Sequence, residues 1–133
     1  MPLAKIHVTE GHYDEARLKA VSTAVQEALM HVLKVPPEDF FQLIHVLPRS
    51  RFLHTRAFVG AAYSDDLIVL ELTFISGRPK DTRLALLKDL NERMAQHARI
   101  RPDDLMVMLY ELPGENFSFG HGLAQRAFVS QGT

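Results

Sequence analysis

The spacing of apolar residues changes twice within the first 48 positions, from strand-like to helix-like and back. LAKIHVT (3–9) reads as a strand, and GHYDE then makes a turn that carries helix-start signals. Asp14 is a plausible N-cap, and Ala16, Val21, Val25, Ala28, Leu29 and Val32 follow near helical spacing through Leu33. VPPEDF stops that helix, because Pro36 and Pro37 lack the N–H that a continuing helix needs. FFQLIHVL follows as a second strand. The order is strand, helix, strand.

Residues 67–113 run through the same order again. LIVLELTFIS is a strand, GRPKD a turn and helix start, and TRLALLKDLNERMAQHA places Leu84, Leu87, Leu90, Met94 and His97 at helical spacing. IRPDDLMVMLYELP then matches VPPEDFFQLIHVLP in type. Pro37, Asp39 and Pro48 each recur 65 positions later, as Pro102, Asp104 and Pro113, while Gly11 recurs as Gly77 with one extra residue. Two copies are too few for a solenoid. They predict an α+β fold, a duplicated β-α-β unit forming one mixed four-stranded core sheet with both helices on one face. Each crossover is long enough to join parallel strands. A single domain is expected, with repeat 1 at about 2–48, repeat 2 at about 67–113 and a C-terminal tail at 114–133.

Between the copies, PRSRFLHTRAFVGAAYSDD has room for short extended pieces around Phe52 and Ala57–Ala61. The tail GENFSFGHGLAQRAFVSQGT is rich in Gly and aromatics, and its Phe117, Phe119 and Phe128 need something to bury them. One small sheet with two helices leaves its other face bare. Bare face and tail together predict burial against other copies of the chain.

Composition narrows the function. Hydrophobic residues make up 47% and charged ones 23%, which is ordinary globular usage. A net charge of −1, with no long Lys/Arg block, offers no field for nucleic acid or an anionic membrane. No apolar run is long enough to span a bilayer, and no signal-peptide pattern opens the chain, so a cytoplasmic protein is expected. The absence of Cys excludes disulfides, thiolate chemistry and Cys–zinc sites. The seven His show no metal-ligand spacing, and Gly120-His121-Gly122 lacks the Lys and helix start of a phosphate loop. Neither metal nor nucleotide cofactor is implied.

The start, MPLAKIHV, is the chemically distinctive stretch. Pro2 is small enough for Met1 to be trimmed, which would leave a secondary amine at the head of a strand. The bland reading is a rigid first strand residue whose missing N–H costs nothing.

An N-terminal Pro opening a duplicated β-α-β unit resembles the tautomerase superfamily. The LTFISGRP and FSFGHG segments are most similar to its malonate semialdehyde decarboxylase branch. The resemblance covers nearly the whole chain and implies trimers that use the proline nitrogen in catalysis without a cofactor. It makes Pro2 the acid–base residue and Asp39, in VPPED, the carboxylate beside it. It also makes Arg78 the carboxylate-binding residue, with Lys80 near it, and Phe117 and Phe119 an aromatic pocket wall. Two positions depart from the branch. Lys80 stands where an arginine is usual and loses the planar fork, and Phe117 stands for a tryptophan and loses an indole N–H. Gly77 is an extra residue before Arg78.

A neutral Pro2 would lift a proton α to a carbonyl, whereas a protonated one would polarise a carbonyl or protonate an enolate. The expected activity is keto–enol tautomerisation of a small, pyruvate-like 2-keto acid by a homotrimer. Decarboxylation of a malonate semialdehyde-type 3-oxo acid is the alternative enzyme reading. A non-catalytic, ligand- or partner-binding trimer with an idle proline is the rival from another class.

Overall fold

In the computed structural model residues 2–128 are described. Met1, on whose removal a free Pro2 amine depends, and tail residues 129–133 lie outside them. The chain runs β1 (Leu3–Thr9), α1 (Glu15–Leu33), β2 (Gln42–Leu47), β3 (Ala57–Phe58), β4 (Ala61–Ala62), β5 (Ile68–Ile75), α2 (Lys80–Ala98) and β6 (Leu105–Leu112). The sheet order is β2-β1-β5-β6. β1 and β2 pair in parallel, as do β5 and β6, and β1 joins the two halves by an antiparallel pairing with β5. This is the expected duplicated unit. β3 and β4 form a separate two-stranded hairpin, while the Phe52 region is not a strand and follows a 3-10 turn at Arg49–Arg51.

Strand alternation sets the core. Ala4, Ile6 and Val8 of β1 and Ile68, Leu70, Leu72 and Phe74 of β5 are fully buried beneath the helices. Asp14 caps α1 as its sequence predicts, accepting the Arg17 backbone N–H at 2.8 Å. Both helices end on a cation in the left-handed region, Lys34 and Arg99, 65 residues apart, each followed by a buried apolar residue, Val35 or Ile100. The Ile100 N–H reaches back to Met94 O, so α2 closes with a Schellman-type bond.

The face that α2 buries differs from expectation. Leu86, Leu90, Met94 and Ala98 are buried, whereas Leu84 is half exposed and His97 lies outside. The row through Leu84 and Leu87 runs on to Asn91, while the row through Leu86 stays apolar to its end, and the sheet takes the unbroken row. Ala16, at the start of α1, is likewise exposed.

The opposite sheet face has no helix. Leu43, Met106, Met108 and Tyr110 are exposed on it, and in the tail Phe119 and Phe128 are exposed too.

Candidate active site

The two repeats build different things at the two ends of the sheet. The carboxylate of Asp104 is fully buried and accepts from Ser64 N (2.8 Å), Ser64 Oγ (2.6 Å) and Arg101 (3.3 Å). Nearby Tyr13 is buried, which raises its phenol pKa, and it donates to Asp66 O. Arg17 lies over the Tyr13 ring and donates to Ala98 O, His12 O and Asp66. A groove of about 610 Å³ opens here, lined by Arg17, His12, His97 and Arg99 among others. The Arg17 and Asp104 groups at this end are consumed by structural hydrogen bonds.

At the other end the corresponding pieces are placed differently. Leu3 pairs with Thr73, so continuing the antiparallel register sets buried Pro2 opposite Phe74. The Arg78 guanidinium lies 5.7 Å from the centre of the Phe74 ring. It also donates to Ile75 O (3.3 Å) and Leu33 O (3.4 Å), which ties the end of β5 to the end of α1. Burial lowers the pKa of Arg78, and the charges of Asp39 and then Glu111 offset that loss. An arginine so placed still keeps its charge. Gly77 has φ near 127°, a left-handed value that side chains rarely adopt, so the extra glycine is what lets the chain turn from β5 towards Arg78.

Asp39 is held by its backbone. Its N–H closes a turn on Pro36 O at 3.0 Å, and its carbonyl accepts from Gln26 at 3.1 Å. The repeat position of Pro2 is Leu67, a buried residue inside the chain, so the second repeat has no proline at the head of its first strand.

Phe117 and Phe119 pack against each other, and Phe41 joins them. The Phe117 and Phe119 ring centroids are 5.0 Å apart, and Phe119 stands 6.1 Å from Phe41. Leu3, Phe41, Phe117, Ser118 and Phe119 line a cavity of about 220 Å³ beside Pro2 in sequence. On the other side of the Phe41–Phe119 pair, a groove of about 360 Å³ includes Asp39. The tail is locked in place by Gly114: a Cβ there would sit 2.1 Å from Arg126 O. Gln125 adds bonds to Phe119 N and Gly120 O.

Pro2, Asp39 and Arg78 therefore share one end of the sheet, and Phe117 and Phe119 wall a cavity at the foot of β1. Lys80 is exposed at the first position of α2, and its side chain makes no hydrogen bond or ion pair among the described residues. Phe41 and Phe74 are the residues that the sequence reading passed over. Phe41 had a visible signal, an aromatic two residues after Asp39, but Phe74 looked like any core strand residue.

Two family models, both described as tautomerase enzymes, match the chain over residues 2–53 and 39–120. The chain belongs to the tautomerase family. It is 28% identical to the "Probable tautomerase YusQ" of Bacillus subtilis (strain 168), over 94% of this chain and 98% of that one. Among solved structures it is similar to FG41 malonate semialdehyde decarboxylase inhibited by 3-bromopropiolate. The identity is 27%, the TM-score 0.83, and 93% of each chain is covered. A fused 4-OT symmetric trimer shares the fold, at 22% identity and a TM-score of 0.76 over 94% of this chain and 97% of that one. These tautomerase relatives span the chain almost end to end, so both repeats belong to the fold they share.

Proposed function

We propose that the protein catalyses keto–enol tautomerisation of a small 2-keto acid, with the Pro2 nitrogen as acid–base group once Met1 is removed. The supporting observation is Pro2 buried at the foot of β1, opposite Phe74, whose ring carries Arg78 with Asp39 in electrostatic reach. In this reading Arg78 binds the substrate carboxylate. Neutral Pro2 takes a proton from the carbon α to the keto group, and the enolate oxygen is then protonated to give the enol. Phe117, Phe119 and Phe41 exclude water from the reacting carbon. The proline supplies the acid–base chemistry, so no cofactor is required.

The working form is proposed to be a cytoplasmic single-domain homotrimer. Support comes from the exposed apolar residues of the open sheet face and tail, and from the symmetric trimer of the fused 4-OT neighbour.

A second reading is decarboxylation of a 3-oxo acid, favoured by the 27% identity to a malonate semialdehyde decarboxylase. Protonated Pro2 would then hydrogen-bond the 3-oxo oxygen while the C–CO₂ bond breaks, and the resulting enolate would be protonated at carbon.

The pH dependence separates the two. An α-amino group titrates near 7.7–8.0 when unperturbed. A secondary amine is more basic; once it is free, burial or a nearby cation such as Arg78 would lower its pKa, and a nearby carboxylate such as Asp39 would raise it. A neutral-proline tautomerase should gain kcat/KM as pH rises through this group's pKa, and a protonated-proline decarboxylase should lose it. Rates with phenylenolpyruvate and with malonate semialdehyde, followed from pH 5 to 9, read this directly. A flat profile for both substrates would remove Pro2 from either mechanism.

A further inference from the structure

One polar row crosses the helix-free face of the sheet, with a residue from each of its four strands. His45 of β2 faces His7 of β1 through their Nδ1 atoms at 3.1 Å, with ring centroids 4.8 Å apart. His7 Nε2 meets Glu71 Oε2 of β5 at 2.6 Å, and Tyr110 of β6 donates its hydroxyl to Glu71 Oε1 at 3.2 Å. Lys5 lies opposite Glu71 in the β1–β5 register. The apolar Leu43, Met106 and Met108 stand exposed around this row. None of these groups is among the residues proposed to act with Pro2.

The row admits a limited number of protons. With both rings neutral, His7 Nε2–H donates to Glu71, which makes His7 Nδ1 an acceptor for His45 Nδ1–H. One added proton is tolerated, because one facing Nδ1 still lacks a hydrogen. A second puts N–H against N–H and breaks the contact. Lys5 and Glu71 cancel, so the row goes from neutral to +1 and then +2 in each copy. The His7 hydrogen bond, then Tyr110 and Lys5, hold the Glu71 carboxyl below its ordinary pKa, which favours its charged form.

We propose that this row is a proton-operated latch in the interface between copies of the chain, closed while His7 and His45 together carry at most one added proton and opened by the second. The inference rests on the trimer reading above. A doubly charged row in each copy is costly to desolvate against its neighbours, and its internal hydrogen bond is already lost.

Sedimentation velocity of the full chain at fixed ionic strength, from pH 8 to pH 5, tests it. If each of three protomers takes up one proton on release, the trimer dissociation constant should rise by up to about 1,000-fold per pH unit below the transition. His45→Asn keeps an amide N–H for His7 Nδ1 but does not titrate, and should remain trimeric at pH values where the wild-type chain dissociates. A wild-type trimer equally tight at pH 8 and pH 5 overturns the latch alone. So does a folded His45→Asn trimer that dissociates at the wild-type pH. A monomer at every pH overturns the latch and the trimer reading together. The wild-type series decides even if the variant fails to fold.

Discussion

Pro2→Ala is expected to fold, to assemble as the parent does, and to lose about 10²–10⁴-fold in kcat/KM for enol–keto conversion of a 2-keto acid, the usual worth of a positioned acid or base. The fold tolerates the change because Pro2 precedes β1: the sheet pairing begins at Leu3, and the bond from Ala4 N to Phe41 O lies beyond it. Alanine still presents an amine once Met1 is removed, but a primary one that is freer to rotate and differently basic. The buried setting opposite Phe74 then no longer fixes where the nitrogen lone pair points. Circular dichroism and sedimentation check the fold, and steady-state kinetics reads the loss. Full activity in Pro2→Ala would make Pro2 no more than the rigid first residue of a strand.

Arg78→Ala is expected to lower kcat/KM by about tenfold to a hundredfold or more, since a charge-assisted hydrogen bond is worth about 1.5–3 kcal/mol. The loss should fall mainly on the acid substrate, and an ester lacking the carboxylate charge should show little difference between parent and variant. Some stability goes too, about 1 kcal/mol, because Arg78 also donates to Ile75 O and Leu33 O, though through long bonds. Lys80→Ala should change kcat/KM by less than about threefold, as befits an exposed side chain with no hydrogen bond or ion pair among the described residues. Equal, negligible effects from both substitutions would place the anion elsewhere.

Much of this architecture was legible in local signals. Asp14 marked the start of α1, Pro36 and Pro37 its end, and the 65-residue offset of Pro37, Asp39 and Pro48 revealed the duplication. What escaped was decided by contacts distant in sequence. Leu84 and Leu86 both start apolar rows; the Leu84 row is broken at Asn91, and the sheet beneath α2 takes the unbroken one. The two repeat aspartates look alike in sequence. Asp104 becomes a buried anchor because Ser64, 40 residues away, reaches it, while Asp39 faces Arg78 from the other repeat. Lys80 was named by the resemblance, as the position where an arginine is usual; Pro79 is the N-cap of α2, and Lys80 opens the helix, exposed. Likewise Phe41 joins the tail aromatics only because the chain after Gly114 folds back against it.

The central claim is that the nitrogen of Pro2 is free and reactive. Treating the protein with 3-bromopropiolate, by which the FG41 decarboxylase is inhibited, and mapping the product by peptide mass spectrometry tests it most directly. The account predicts loss of activity with a single adduct on Pro2, in a chain that lacks Met1. Inactivation with the adduct on another residue, or full activity in a chain that retains Met1, would contradict it.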